Sequence, residues 1–356
     1  MSDWTHRSVQ ANGQRFHLVE EGEGPLVLLV HGFPEFWHAW SNQIPVIAAA
    51  GYRVAAPDMR GYGRSSKPRD VDAYGITDLV NDCVGIVEAL GEKLAVVVGH
   101  DWGSMLAWTC AWTRPDVFRG VIGMSVPFGG RGLLPLAGIS SLGELKPTEA
   151  DREAAGDRVF YQEIWLDGDG LAAEAEPDVY EFFRDQLFSF SAAPYPEDFE
   201  PPQIVGADID AVRESIKTGG AIVDAGSKFR EALISPPDPM PGWLADNLPA
   251  YAAEFERTGL AAPLNWYRNL DRDWEELAPY EGKPIEVPAS FIGADFDVAT
   301  LWGAEAIQKF PETVPKLFET HIVSRCGHWL TLEQPEQTNA AILRFLDHLD
   351  GDSSQS

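Results

Sequence analysis

The sequence predicts an α/β protein: a mostly parallel central sheet flanked by helices, with a mainly helical lid inserted into it. Three observations predict it. Short apolar, β-branched runs alternate with amphipathic stretches in the first part of the chain, the pattern of strands buried on both faces by helices. The alternation fades over residues 129–275, where proline and acidic clusters such as "SAAPYPEDFEPPQ" and "SPPDPMPGW" separate amphipathic segments. It resumes toward the end. The expected divisions are a first core segment at 1–128, a lid at 129–275 and a second core segment at 276–356.

Each element has its own signal. "PLVLLVHGFP" is an apolar run bounded by Gly and Pro, a buried strand ending near His31. "YRVAAPDMRGYGRSS" reads as a second strand and then a glycine-rich loop. In "ITDLVNDCVGIVEALG", Ile76, Leu79, Val80, Cys83, Val84, Val87 and Leu90 recur at helical spacing, and Gly91 is placed to end the helix. "KLAVVVG" is a third strand, followed by a helix that opens at Trp102 and stops near Arg114, before Pro115. "VIGMSVPF", Val121 to Phe128, is a fourth. After the lid come "VPASFIGADFD" and "THIVSRCGH", then a helix from Pro335 that turns Ala341, Ile342, Phe345, Leu346 and Leu349 inward.

Composition narrows the function classes. Hydrophobic residues make up 45% of the 356, enough for a sizeable core. The formal charge of −28 argues against nucleic acid and anionic membranes as partners, since both repel it. Cys83, Cys110 and Cys326 lie far apart, without metal-ligand spacing, which points to a reduced, cytoplasmic setting. The first residues lack the apolar core of a signal peptide, and the strand runs are too short to span a bilayer.

The chemistry centres on "VVVGHDWGS". A strand breaks at Gly99 and a helix follows Gly103, with Asp101 between them. This small-x-nucleophile-x-small corner is a nucleophile elbow, and here it presents a carboxylate. An Asp is ionised at neutral pH and needs no base to attack a saturated carbon. The product of that attack is an ester of the enzyme itself. Water must clear it, and His328, just past the last strand, is the candidate general base. Either Asp295 or Asp297 of "GADFDV" can orient that His; their even spacing does not separate them, and Asp297, further into the loop, is preferred. The chain order of nucleophile, acid and His is that of α/β-hydrolases. Two backbone N–H groups are expected to hold the ester's developing oxyanion: Trp102, next to the nucleophile, and Phe33, after the first apolar strand. Pro34 has no N–H to give. His31 and His100 are expected to order loops.

These residues resemble the α/β-hydrolase-fold epoxide hydrolases, mycobacterial and soluble mammalian or plant members above all. The matching pieces are "HGFPEFW", "RGYGRSSKP", "GHDWGS", "PLNWYRN", "FIGADFDV" and "GHW", and the resemblance covers nearly the whole chain. It implies that two lid tyrosines donate hydrogen bonds to the epoxide oxygen. "NWYRN" carries one at Tyr267, and "VFYQEIWLDGDGLAAEAE" carries the other at Tyr161; the match departs at Trp165, where the family usually has Phe. The resemblance also favours Asp297 as the acid. A phenol, with its pKa near 10, stays protonated and can donate to a forming alkoxide.

The expectation is an enzyme that converts an apolar small-molecule epoxide to a vicinal diol through an ester on Asp101. No metal or organic cofactor is implied, and the resemblance allows a homodimer. Trp37, Trp165 and Trp329 are the expected pocket residues, and Phe188, Phe190 and Trp243 are further lid aromatics. The alternative is a haloalkane dehalogenase, which shares the Asp elbow and cradles a halide, commonly with Trp102 and a second donor. Phe33 stands where that donor is often Asn, and Trp165 or another of the twelve tryptophans is the substitute. A non-catalytic binding protein on the same fold is a third reading.

Overall fold

The computed structural model describes residues 4–166, 168–219 and 221–353. In chain order the strands are β1 (Thr5–Ala11), β2 (Gln14–Glu21), β3 (Leu26–Val30), β4 (Arg53–Pro57), β5 (Ala95–His100), β6 (Phe118–Met124), β7 (Val159–Phe160), β8 (Ile222–Val223), β9 (Ala289–Ala294) and β10 (Leu317–Val323). Among the described residues, all but β7 and β8 join one sheet in the order β1-β2-β4-β3-β5-β6-β9-β10. Pairing is parallel from β4 through β10 and antiparallel only at β1–β2 and β2–β4.

The period of two along the central strands builds two cores. In β3, Leu26, Leu28 and Val30 face one side of the sheet and Val27 and Leu29 the other; in β5, Ala95 and Val97 oppose Val96 and Val98. Helices Ile76–Ala89 and Trp102–Thr113 cover the first face, and Ile44–Ala49 and Pro335–Ser353 the second. Burying each Val or Leu fully is worth about 1.5–3 kcal/mol. Trp102–Thr113 is buried from Trp102 to Trp112, as a helix apolar on every side must be. Gly91 ends the preceding helix at φ +85°, a conformation a side chain would strain.

Two sequence readings need correction. The fourth strand begins earlier and ends at Met124, because Ser125 takes φ 71° and turns the chain off the sheet. The antiparallel β1–β2 hairpin was not among the expected elements. It turns at Asn12–Gly13, both at positive φ, the pair that suits a tight hairpin turn.

Between β6 and β9 the chain is mainly helical. Its longer helices are Pro147–Ala155, Val179–Ser189, Ile209–Thr218 and Gly242–Thr258, and β7 pairs with β8 in a small antiparallel ribbon. No helix among the described residues is long and apolar enough to cross a membrane.

Candidate active site

The site sits at the carboxyl ends of the parallel strands, where loops from separate strands converge. Asp101 follows β5 at φ 55°, ψ −120°, a conformation that costs a non-glycine residue of order 1–3 kcal/mol and persists only when its surroundings enforce it. Close backbone packing enforces it here. A Cβ on Gly99 would lie 1.8 Å from the Gly103 carbonyl oxygen, and one on Gly103 would lie 2.0 Å from that of Val30. Only glycine permits both approaches. The turn lifts the Asp101 side chain to 15% exposure, into a pocket of about 570 Å³ counted out to its open mouth.

The two carboxylate oxygens of Asp101 face different partners. Oδ1 accepts the Phe33 N–H at 2.8 Å. Oδ2 lies 3.6 Å from Nε2 of His328. Burial pushes the Asp101 pKa up; the charges of His328 and His100 and the amides of Phe33 and Trp102 pull the other way without cancelling it. A poorly solvated carboxylate held this way keeps its nucleophilicity, because little water must be stripped from it.

His328 follows β10. Its Nδ1 lies 3.0 Å from Asp297 Oδ1 and 3.3 Å from the Ser125 hydroxyl. Asp297 caps helix Val298–Trp302 by accepting the Ala299 N–H, and its other oxygen sits 2.9 Å from the Thr300 hydroxyl. Burial works against the Asp297 charge, but His328 and these hydrogen bonds outweigh it and hold the carboxyl at about 2. Burial also works against charge on His328; Asp297, Asp101 and Glu35 outweigh it and raise its pKa to about 9.

Tyr161 and Tyr267 line the same pocket from the lid. Trp165 stands between them, edge-on to Tyr161 at 4.7 Å and to Tyr267 at 4.9 Å between ring centroids. The residue where the family pattern breaks thus fixes the spacing of the two rings. Gln162 donates to the Tyr161 hydroxyl at 3.2 Å. Burial, with the Asp101 charge adding to it, raises both phenols well above 10, so both stay protonated. The Trp102 indole packs edge-on to Tyr267 at 5.2 Å, and its N–H lies beside that hydroxyl without closing a hydrogen bond of normal geometry.

The structure brings Asp101, Trp102, Phe33, Tyr161, Tyr267, Trp165, Trp329 and His328 to one cavity, with Asp297 behind His328. Trp37 does not belong to it. It lies in the 3-10 turn Trp37–Trp40 and packs on Trp4 and His6 at the N-terminal edge of the fold. Of the lid aromatics, Phe190 lines the cavity and Phe188 and Trp243 do not. Asp295 instead accepts the amides of Arg325 and Cys326, bracing the turn before His328. Asp167, in the acidic stretch after Tyr161, lies outside the described residues.

Sequence reasoning passed over Glu35, Ser125, Thr300 and Gln162. Glu35 is fully buried and accepts both the Gly32 N–H and His100 Nδ1 on one oxygen. His100 Nε2 reaches the His328 carbonyl at 2.7 Å. Both ring nitrogens therefore meet acceptors, so His100 is an imidazolium, and Glu35 raises its pKa against the effect of burial. His31 differs: Nδ1 donates to the Gly32 carbonyl and Nε2 accepts the Met59 N–H, which makes it neutral. The signal for Glu35 was a charged residue in the apolar turn "HGFPEF".

The alpha/beta hydrolase fold family matches residues 25–153. Epoxide hydrolase B of Mycobacterium tuberculosis is 42% identical over 97% of this chain and 98% of its own length. Bifunctional epoxide hydrolase 2 of Sus scrofa is 32% identical over 94% of this chain and 54% of its own length. Among solved structures, an epoxide hydrolase from an endophytic Streptomyces superposes with a TM-score of 0.86 at 40% identity, covering 99% of this chain and 97% of that one. At this identity, over nearly the full length of both chains, this chain belongs to the α/β-hydrolase-fold epoxide hydrolases.

Proposed function

We propose that this enzyme opens an apolar epoxide to a vicinal diol in two steps. In the first, Oδ2 of Asp101 attacks an oxirane carbon and the carbon–oxygen bond breaks. Tyr161 and Tyr267 hydrogen-bond the departing oxygen as its charge grows, and one of them gives it the phenolic proton, which leaves a hydroxyl on the substrate and a tyrosinate on the enzyme. In the second, His328 takes a proton from a water that adds to the Asp101 carboxyl carbon. The negative charge moves to Oδ1, against the N–H groups of Phe33 and Trp102. Collapse breaks the bond between the carboxyl carbon and Oδ2, His328 returns its proton to that departing oxygen, and the new Asp101 acid gives up its proton to the tyrosinate, which restores carboxylate and phenol as the diol leaves. Asp297 holds the His328 tautomer and stabilises its charge. Residues 129–275 act as the lid that carries the two tyrosines.

One observation carries the reading: Oδ1 of Asp101 accepts an amide while Oδ2 faces the histidine. The carboxylate has one oxygen placed for stabilisation and one free for attack. The pKa of His328 fits the order of steps. Esterification removes the Asp101 charge, one of the groups holding His328 at about 9, so the base is released when its proton acceptance is needed.

A single turnover in heavy-oxygen water tests the scheme. Label is expected in Asp101, with the first diol unlabelled. Label in that first diol means direct attack by water and ends the covalent scheme. His328→Gln is expected to accumulate the ester, visible as an adduct in intact mass.

The relatives do not favour halide displacement, but one feature keeps it measurable. The indole N–H groups of Trp102 and Trp165, on two residues that line the pocket, lack hydrogen-bond partners among the described residues. Halide release from a haloalkane at a rate matching epoxide turnover would favour that reading. The −28 charge and three buried free thiols support a cytoplasmic enzyme without nucleic-acid or membrane partners. The homodimer that the family resemblance allows is checked by sedimentation.

A further inference from the structure

The loop that carries the catalytic base is fastened to the lid at three successive residues. The His328 N–H donates to the Phe190 carbonyl at 2.8 Å. The Trp329 indole N–H donates to the Leu187 carbonyl, also at 2.8 Å. At Gly327 the two backbones meet: a Cβ there would lie 2.6 Å from the Ala192 nitrogen. The His328 backbone is tied to the core from its other side, where His100 Nε2 reaches its carbonyl at 2.7 Å.

Glu333 closes this junction from the end of the short helix Leu330–Glu333. Its Oε2 accepts the N–H of Ala192, on the lid, at 2.9 Å and that of Gly327 at 3.1 Å. Its Oε1 accepts the Trp329 N–H at 3.0 Å. One carboxylate therefore holds the amide before His328, the amide after it and an amide of the lid. Hydrogen bonds to a charged acceptor are the strong ones, so this side chain dominates the contact. The lid brings only main-chain groups to these bonds. Burial raises the Glu333 carboxyl to about 7, against the pull of the three amides and of His328.

We propose that Glu333 is a positioning residue for ester hydrolysis: its carboxylate docks lid residues 187–192 on the base loop and so holds His328 over the ester. The proposal rests on the epoxide hydrolase reading and adds to it a residue that touches neither substrate nor reacting atoms. The groups that form the ester sit on other elements. Asp101 is on the elbow after β5, Tyr161 opens the helix Tyr161–Leu166, and Tyr267 lies in the helix Asn265–Arg268. Loosening the junction therefore displaces the base and leaves the nucleophile and its two donors in place. A shift of about 1 Å at a reacting group is enough to cost on the order of 100-fold in rate.

Glu333→Gln tests it, because the substitution keeps the size of the side chain but turns one acceptor oxygen into a donor facing an amide. The measurements are made at about pH 8, where the wild-type carboxyl is ionised. Ester hydrolysis is expected to slow roughly tenfold in stopped flow, with ester formation within about twofold of wild type. In steady state kcat and KM then fall together and kcat/KM stays within about twofold, the signature of a slower second step. Glu333→Asp, which keeps the charge on a shorter arm, is expected to lose less in the same step. An unchanged hydrolysis rate, or a fall in kcat/KM matching that in kcat, overturns the proposal. In a His328→Gln background, where no base remains to be positioned, ester decay followed by intact mass should change by less than about twofold on adding Glu333→Gln. A further tenfold loss there makes Glu333 purely structural and also overturns it. Hydrogen exchange separates the proposal from the reaction assignment. Amides of Ala192, Gly327 and Trp329 that lose protection in Glu333→Gln, in a protein that turns over no epoxide, uphold the junction and remove the hydrolase reading. Epoxide turnover with those amides unprotected in the wild type does the reverse.

Discussion

Nε2 of His328 stops 3.6 Å from Oδ2 of Asp101, while its Nδ1 lies 3.0 Å from Asp297. The ring stands between two carboxylates, and only Asp101 is to be neutralised by substrate. Asp101→Asn mimics that neutral state without substrate. The His328 pKa is expected to fall clearly below about 9 in the variant, followed by NMR titration of the ring. An unchanged value would separate Asp101 from the control of the base.

The same shift predicts a pH effect on stability. The folded pKa of His328 is raised from 6.5 to about 9, so its stabilising contribution is complete below 6.5 and is lost as pH rises to about 9. Denaturant unfolding is expected to weaken over that window in wild type. His328→Gln should lack this component, and an identical pH dependence in both proteins would rule the linkage out.

The tyrosines are expected to act in the first step alone. Tyr161→Phe and Tyr267→Phe each remove one donor to the forming alkoxide, at a cost of roughly 100-fold in the rate of ester formation. Ester hydrolysis, which depends on His328 and the amides, should change little. Stopped-flow fluorescence resolves the two rates, and Trp165 and Trp102 beside the tyrosines supply the signal. Equal loss in both steps would point to collapse of the pocket.

Much of this arrangement was legible in the sequence, because strong physical constraints leave local marks. The elbow shows because Gly99 and Gly103 pack against backbone that no side chain would clear. The central strands show because both faces are buried, giving unbroken Val and Leu runs. β1 escaped because five of its seven residues are exposed at the sheet edge, although Asn12–Gly13 advertised the turn. Asp295 and Asp297 could not be told apart by strand parity, since β9 ends at Ala294 and both lie beyond it. Trp37 was misplaced for a related reason: its neighbours in "HGFPEFW" approach the site, but a 3-10 turn sends its ring the other way.

The "NWYRN" segment ties Tyr267 to the core. Trp266 donates its indole N–H to the Arg60 carbonyl at 3.0 Å and packs edge-on to Trp102, and Asn269 donates to the Val71 carbonyl at 2.8 Å. Trp266→Phe removes the donor and leaves a buried carbonyl unpaired, a loss of about 1–3 kcal/mol. Ester formation is expected to slow by roughly three- to tenfold through misplacement of Tyr267, with ester hydrolysis unaffected. In a Tyr267→Phe background the further change should vanish. A full additive loss there would make Trp266 a purely structural residue.

The last comparison sets two neighbouring acids against each other. Asp297 touches His328, whereas Asp295 accepts the amides of Arg325 and Cys326 and shapes the turn that leads to it. Arg325 sits at φ 52° in that turn, so losing its brace should cost stability, by about 1 kcal/mol, more than rate. Asp297→Asn keeps the shape but removes the charge that fixes the His328 tautomer. Its ester hydrolysis is expected to drop by roughly 10²- to 10⁴-fold with a modest change in melting temperature. Asp295→Asn should hydrolyse the ester within about threefold of wild type while melting lower. If the two variants exchange these phenotypes, the acid behind His328 is Asp295, and the 3.0 Å contact to Asp297 is only a helix cap meeting a neighbouring ring.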